Sequence, residues 1–253
     1  MTGTCKLCLQ PKELRRSHII PEFCYKATYE RTIHRATVLL ANPSGKTYVQ
    51  KGFRDNLLCD DCEQFLNKNY ENPFKTFWYD GGALPDPVPA PTSPDVDLIM
   101  VTGLDYTTFK LFHLSILWRA SVATGDRFNT ISLGPYEEKV RQMLLNKDPG
   151  PVDHYLMVGK LLMKDERRVC YGVVAKPQQA RYGYSHVSYT CYAGVEWMVF
   201  NSDHPGPAEK AMLTMAPKMD GTMLLAAIPL QQSNTAKTFV AQRDANGGSG
   251  MGT

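Results

Sequence analysis

Two Cys-x-x-Cys pairs, Cys5/Cys8 and Cys59/Cys62, bracket a run of Ser17, His18, Ile19, Ile20 and Pro21 near the start of a 253-residue chain. A Cys-x-x-Cys turn presents two thiolates from a tight backbone loop, and two such turns supply the four sulfurs of a tetrahedral zinc site. A site of this kind is closed. With four thiolates around it, the metal has no open position at which to activate water, so its role is to hold a small module together. His18, enclosed between the pairs, reads either as a hydrogen-bonded core histidine or as an imidazole able to accept a proton at working pH. The other cysteines, Cys24, Cys170 and Cys191, are scattered singly and read as buried thiols.

The two pairs have different settings. Cys5/Cys8 stands alone near the terminus, whereas Cys59/Cys62 opens a helix. Asp60, Asp61 and Glu63 fill its first turn, where the helix dipole favours acids, and Phe65 and Leu66 continue the apolar pattern. A free-standing knuckle joined through a hairpin to a helix-borne knuckle is the layout of a treble-clef finger. In that order, and in the Ser-His-Ile-Ile-Pro segment, residues 5 to about 70 resemble the zinc-containing HNH endonucleases, which use a ββα-metal active site. The resemblance implies hydrolysis of nucleic-acid phosphodiesters, with DNA the expected partner, and a role of the kind such nucleases have in bacterial antiviral defence. It makes His18 the general base. It also implies one Mg2+ or Mn2+, distinct from the structural Zn2+, on the scissile phosphate and leaving oxygen.

The chain departs from the family pattern at three positions. Ser17 stands where the family has a metal-ligating Asp, and Arg54 where it has a middle Asn, with Asn56 two residues further on. Glu63 follows the last cysteine, where the family has His or Asn, and a carboxylate is a good ligand for Mg2+. The resemblance then points to a site rearranged around His18, Asn56 and Glu63. The same residues also suit a non-catalytic finger that binds nucleic acid or a protein partner, with Glu63 answering only the helix dipole and Asn56 only a turn. Arg15 and Arg16 precede Ser17, and Lys51 and Arg54 precede the second knuckle. A hairpin that joins these stretches would gather them as phosphate-binding cations. His34 reads as a strand-face residue of that hairpin.

Charge agrees weakly with a polyanionic partner. The net charge is only +3, but residues 1–75 carry twelve Lys and Arg against eight Asp and Glu. Steering would act through this end of the chain. Apolar residues make up 43%, and no apolar run approaches the roughly 20 residues of a membrane helix. The first residues hold no apolar leader, so a cytoplasmic protein with reduced cysteines and no membrane partner is expected.

The elements that must position these groups divide by composition. Residues 1–79 form the cysteine-bearing, HNH-like module. Residues 80–98 form a linker, extended by five prolines between 80 and 94. Residues 99–243 read as an α+β recognition or assembly domain with a mainly antiparallel sheet, through which a protein partner could also bind. Residues 244–253 read as a disordered tail. In the second part, Asp105 caps a helix carrying Phe109, Phe112, Ile116 and Ala120 toward Gly125. A second helix starts at Gly134 and Pro135, with a Glu137/Arg141 pair, and ends at Asp148. Strands are expected at 155–163, 169–175, 186–192, 195–201 and 221–229. Trp118 reads as core, His113 as lying off the apolar stripe, and the tyrosines of the strand region as half-buried or as a face that stacks bases.

Overall fold

A computed structural model describes residues 1–28, 36–38, 47–49, 52–85, 88, 97–125, 131–165 and 167–237. His34, Lys51 and the 244–253 tail lie outside the described residues, as does most of the proline-rich stretch.

The first three-stranded sheet is antiparallel, in the order β1 (Thr2–Thr4), β2 (Pro11–His18), β5 (Arg54–Cys59). Between β2 and β5 a short 3-10 helix (Glu22–Thr28) precedes the paired strands β3 (Ala36–Val38) and β4 (Thr47–Val49). Strand β5 runs directly into α1 (Asp60–Leu66). The helical path continues through a π-turn (Asn67–Glu71), α2 (Asn72–Lys75) and a second π-turn (Thr76–Asp80), and stops at Gly81. The first widened turn falls immediately before Pro73, whose ring would clash with a carbonyl in a regular α-helix. In that turn the Asn72 N–H reaches back to Asn67 O instead.

Beyond the proline-rich stretch come β6 (Asp97–Val101), α3 (Tyr106–Val122), α4 (Tyr136–Asn146), β7 (Met157–Met163), β8 (Ala175–Tyr182), β9 (Ser185–Tyr192), β10 (Val195–Phe200), α5 (Pro207–Met212) and β11 (Met223–Pro229). Six of them make one sheet in the order β6-β11-β7-β10-β9-β8, antiparallel throughout except for the parallel β11/β7 pair. The fold is α+β with a mainly antiparallel sheet, as the pattern of helices followed by strands implies.

One face of this sheet packs on α3 and on the helix from the cysteine module; the other packs on α5 and the turn after it. Aromatic rings fill the first interface. Phe74 stacks on Phe112 at 3.8 Å between centroids, and the Trp78 indole donates to Ala193 O at 3.0 Å. Gly159 on β7 admits this packing, since a Cβ there would sit 2.6–2.9 Å from Leu225, Trp197 and Val195. The boundary drawn at 80–98 therefore divides composition, while residues on both sides of it contribute to one continuous hydrophobic cluster.

Two expected elements take a different form. Of residues 169–175, Val169 makes an isolated bridge to Met163 and Ala175 opens β8, the strand that lies later. Pro177 hid it, but β8 is an edge strand, paired only with β9, and its register shifts between Ala175 and Gln178. A proline is tolerated at such a place. The Glu137/Arg141 pair does not form. Glu137 accepts from the Ser121 hydroxyl, and Arg141 is held by both oxygens of Glu138 at 2.7 Å.

Candidate metal centre and the His18 face

The two knuckles are brought together by backbone pairing. Lys6 N–H donates to Leu57 O at 2.9 Å, which lays the first knuckle across the end of β5. Leu9 N–H closes the turn onto Cys5 O, and Leu9 takes a left-handed φ of 58° to do so. The second knuckle spans the strand-to-helix junction, with Cys59 last in β5 and Cys62 in the first turn of α1. All four sulfurs then lie within 4.8 Å of one another, the only such cluster of His, Cys, Asp and Glu ligand atoms among the described residues.

The fit to a metal can be tested on distances. Zinc–sulfur bonds of about 2.3 Å at tetrahedral angles place sulfurs about 3.8 Å apart. The Cys8 and Cys59 sulfurs are 3.9 Å apart. Three of the four thiols are buried, which suits a closed structural site. Burial pushes the Cys5 thiol up, but N–H groups of Cys8, Cys59 and Leu7 aimed at its sulfur bring it down to about 7. Burial and the neighbouring Cys59 drive Cys62 far upward.

The knuckle is also anchored from outside. Arg141 on α4, clamped by Glu138, donates to Leu7 O between the first two cysteines. On the solvent side, Asp60 and Asp61 of α1 pair with Arg15 at 3.0 Å and Lys12 at 2.7 Å on β2.

His18 ends β2, directly across from Arg54 in the β2/β5 register. The Arg54 guanidinium donates to His18 Nε2 from Nε at 2.9 Å and from Nη2 at 2.7 Å. Arginine has no lone pair to offer, so Nε2 is the acceptor and the ring proton sits on Nδ1. Arg54 also lies 3.9 Å from Glu22. Asn56 sits opposite Arg16 and shares this face of the ribbon with His18 and Arg54. Its amide side chain has no hydrogen bond to a described residue.

Glu63 is placed elsewhere. Neighbouring strand residues point to opposite faces, so Ser17 is turned away from the His18 side and is buried against α1. The Ser17 hydroxyl accepts from Leu58 N–H at 3.1 Å. The Glu63 carboxyl lies with Ser17 and Arg119. Burial raises its pKa, partly offset by Arg119 and the Ser17 hydroxyl, and its Oε1 is buried without a hydrogen bond. The structure thus groups His18 with Arg54 and Asn56, and Glu63 with Ser17. Of the four cations read as phosphate ligands, Arg15 is paired with Asp60, Arg54 is engaged by His18 and Glu22, and Arg16 is exposed.

Several residues that build this region carry no motif. Arg119 on α3 is fully buried. Its Nη1 donates to His18 O and to Glu71 Oε1, each at 2.8 Å, and its Nε and Nη2 bond Ser115. Asp55 accepts from Thr124 N–H at 2.7 Å and Gly125 N–H at 3.1 Å, which pins β5 to the end of α3. The available signal was compositional. A helix with Lys110, His113, Ser115 and Arg119 among large apolar residues is buried on every side, and each polar group then needs a partner.

No family model, no curated protein and no solved structure matches this chain.

Proposed function

We propose that the chain is a nucleic-acid phosphodiesterase of the HNH type, built on a treble-clef zinc module, with His18 as its general base. The observation that carries this reading is the placement of His18. It sits on the strand paired to β5, which itself delivers Cys59 and leads into the helix bearing Cys62. The imidazole is thereby fixed relative to the cysteine cluster, half-exposed, and carries its acceptor lone pair on Nε2 beside a guanidinium.

In the reaction, His18 Nε2 takes a proton from the attacking water as its oxygen bonds to phosphorus and the bridging P–O bond breaks, the departing alkoxide taking a proton from solvent. Arg54, released from the imidazole by the incoming phosphate, holds the non-bridging oxygens as charge builds on them. A Mg2+ or Mn2+ ion, which the HNH resemblance adds, would supply charge neutralisation at the departing oxygen. The residues present fit that ion poorly. Asn56 shares the His18 face, whereas the Glu63 carboxyl lies with Ser17 and Arg119. No step is assigned to it.

The same observation favours a second reading, a zinc finger that binds nucleic acid or a partner protein without cutting. Arg54 saturates the acceptor nitrogen, and the Glu63 carboxyl lies apart from it with Ser17 and Arg119. The two readings separate on plasmid and single-stranded substrates incubated with the purified chain, with and without Mg2+ or Mn2+, beside His18→Ala. Cleavage lost at least about 100-fold in the variant supports the nuclease. Binding without cleavage, or equal cleavage by both proteins, supports the finger.

A further inference from the structure

Strands β8 and β9 form the outermost hairpin of the six-stranded sheet, with β8 at its free edge. At the tip, Gly183 takes a left-handed φ of 60°, which tightens the turn and turns Tyr184 outward. Tyr184 is 99% exposed and Tyr182 40%, while Arg181 and His186, partners across the ladder, are both exposed. A phenol ring held wholly in water contributes almost nothing to the fold, and its face is open to a ligand.

Residues 167–195 include Arg167, Arg168, Lys176 and Arg181 and no Asp or Glu; in space, Arg168 is paired with Asp165 and the Glu209 carboxylate accepts from the Ser185 hydroxyl beside the tip. Below the tip a groove of about 410 Å3 runs along β8, lined by Lys176, Gln178, Arg181, Tyr189, Asn234 and Thr235, with no carboxylate in its lining. Its far wall is rigid. The buried Glu196 carboxylate accepts from Asn234 N–H at 3.1 Å, from Thr235 N–H at 2.7 Å and from the Thr235 hydroxyl at 2.8 Å. That one negative charge is therefore consumed inside the wall.

We propose that this hairpin and groove bind single-stranded nucleic acid, with bases stacking on Tyr184 and Tyr182 and the phosphates running past Arg181 and Lys176. Stacking on exposed aromatics beside a cationic groove is tolerant of sequence, because every base has a π-face. Cations bring the backbone in with a salt-dependent affinity. The choice of nucleic acid as occupant rests on the functional reading above, but the surface lies on the opposite half of the chain from His18 and is tested separately.

The test is fluorescence anisotropy of the full chain with labelled 20-nucleotide single strands, DNA and RNA, and with a duplex as comparison. Tyr184→Ala should weaken single-strand binding by about 5- to 100-fold, the range for loss of one stacked base. Arg181→Gln should weaken it and flatten the dependence on salt, and Met100→Ala, exposed on β6 at the other end of the sheet, should leave it unchanged. Both tip residues are solvent-exposed, so the thermal midpoints should match wild type. Absence of single-strand binding by the wild-type chain, or wild-type affinity in both Tyr184→Ala and Arg181→Gln, overturns the proposal; capture of a protein by this tip instead does the same. Cleavage that needs His18, together with single-strand affinity that does not depend on Tyr184 or Arg181, overturns this inference alone, whereas tip-dependent binding without any cleavage overturns the nuclease reading alone.

Discussion

Arg119 and Glu71 meet at 2.8 Å, the guanidinium fully buried and the carboxylate nearly so, across the seam between α3 and the helix that leaves the cysteine cluster. The same Nη1 also donates to the His18 carbonyl. Removing one partner of a buried pair leaves an uncompensated charge, at a cost of about 3–5 kcal/mol. Arg119→Met should lower unfolding stability by that amount in a denaturant titration. Arg119→Met combined with Glu71→Leu should recover part of the loss. A single variant within about 1 kcal/mol of wild type would show that the pair does not hold the seam.

The cysteine cluster should be coupled to the distant tryptophans. Trp78, Trp118 and Trp197 are all buried in the shared core, and Arg141 of α4 bonds the first knuckle. The purified chain should contain one zinc ion, and Cys62→Ser should lose it. Structural zinc binding contributes about 10–16 kcal/mol of apparent free energy, so chelation should change tryptophan emission across the whole chain in one transition. Unchanged emission on full metal removal would mean that the module melts alone.

His113 is buried in an aromatic cage, with Nδ1 hydrogen-bonded to the Tyr192 hydroxyl, its ring 4.2 Å from that of Trp197, and Nε2 unpartnered. Burial holds its pKa well below the usual histidine range, so the ring is neutral. Tyr192→Phe strands the remaining nitrogen and should cost about 1–3 kcal/mol. His113→Phe removes the polar atoms themselves and should cost less, a ranking that thermal melts of the two variants can check.

Lys110 is a buried ammonium that donates to Pro151 O at 2.6 Å and the Tyr106 hydroxyl at 3.0 Å. Burial lowers its pKa to about 7, with Asp153 and Asp148 offsetting part of the effect. Between about pH 7 and the ordinary value near 10.5, the unfolded chain holds a proton that the folded chain has lost. Stability from this group therefore rises with pH across that window, by at most about 1.4 kcal/mol per unit, and the penalty is fully present below it. Lys110→Met should remove the rise, so the wild-type melting temperature should gain on the variant's between pH 7 and 9. Parallel curves would contradict it.

Local signals carried the parts of the fold that obey local rules. Asp105 caps α3 by accepting from Thr108 N–H at 2.7 Å, where its position before an apolar helical pattern placed it. The second helix ends near the Asp148, Pro149 and Gly150 stop, with Lys147 in the left-handed region at its cap. Strand β8 escaped because Pro177 normally excludes a strand, and edge position is a property of the whole sheet. His113 looked peripheral because a stripe is a two-dimensional idea, and a helix covered on all sides has none.

The four cysteines and their spacing were enough to mark two thiol pairs able to hold a metal ion, because a Cys-x-x-Cys turn sets its own sulfur geometry within four residues, and the pairing of Lys6 with Leu57 brings the two turns together. Sequence also placed His18 between the knuckles, since chain order alone does that. It could not decide what faces His18. The pleat of β2 sends Ser17 and His18 to opposite sides, and the β2/β5 register puts Arg54 across from the imidazole. Glu63, carried by α1, lies on the other side with Ser17 and near Arg119, a residue far along the chain on α3. Strand register and helix packing are long-range matters, so tertiary structure alone determined which of the candidate residues share a site.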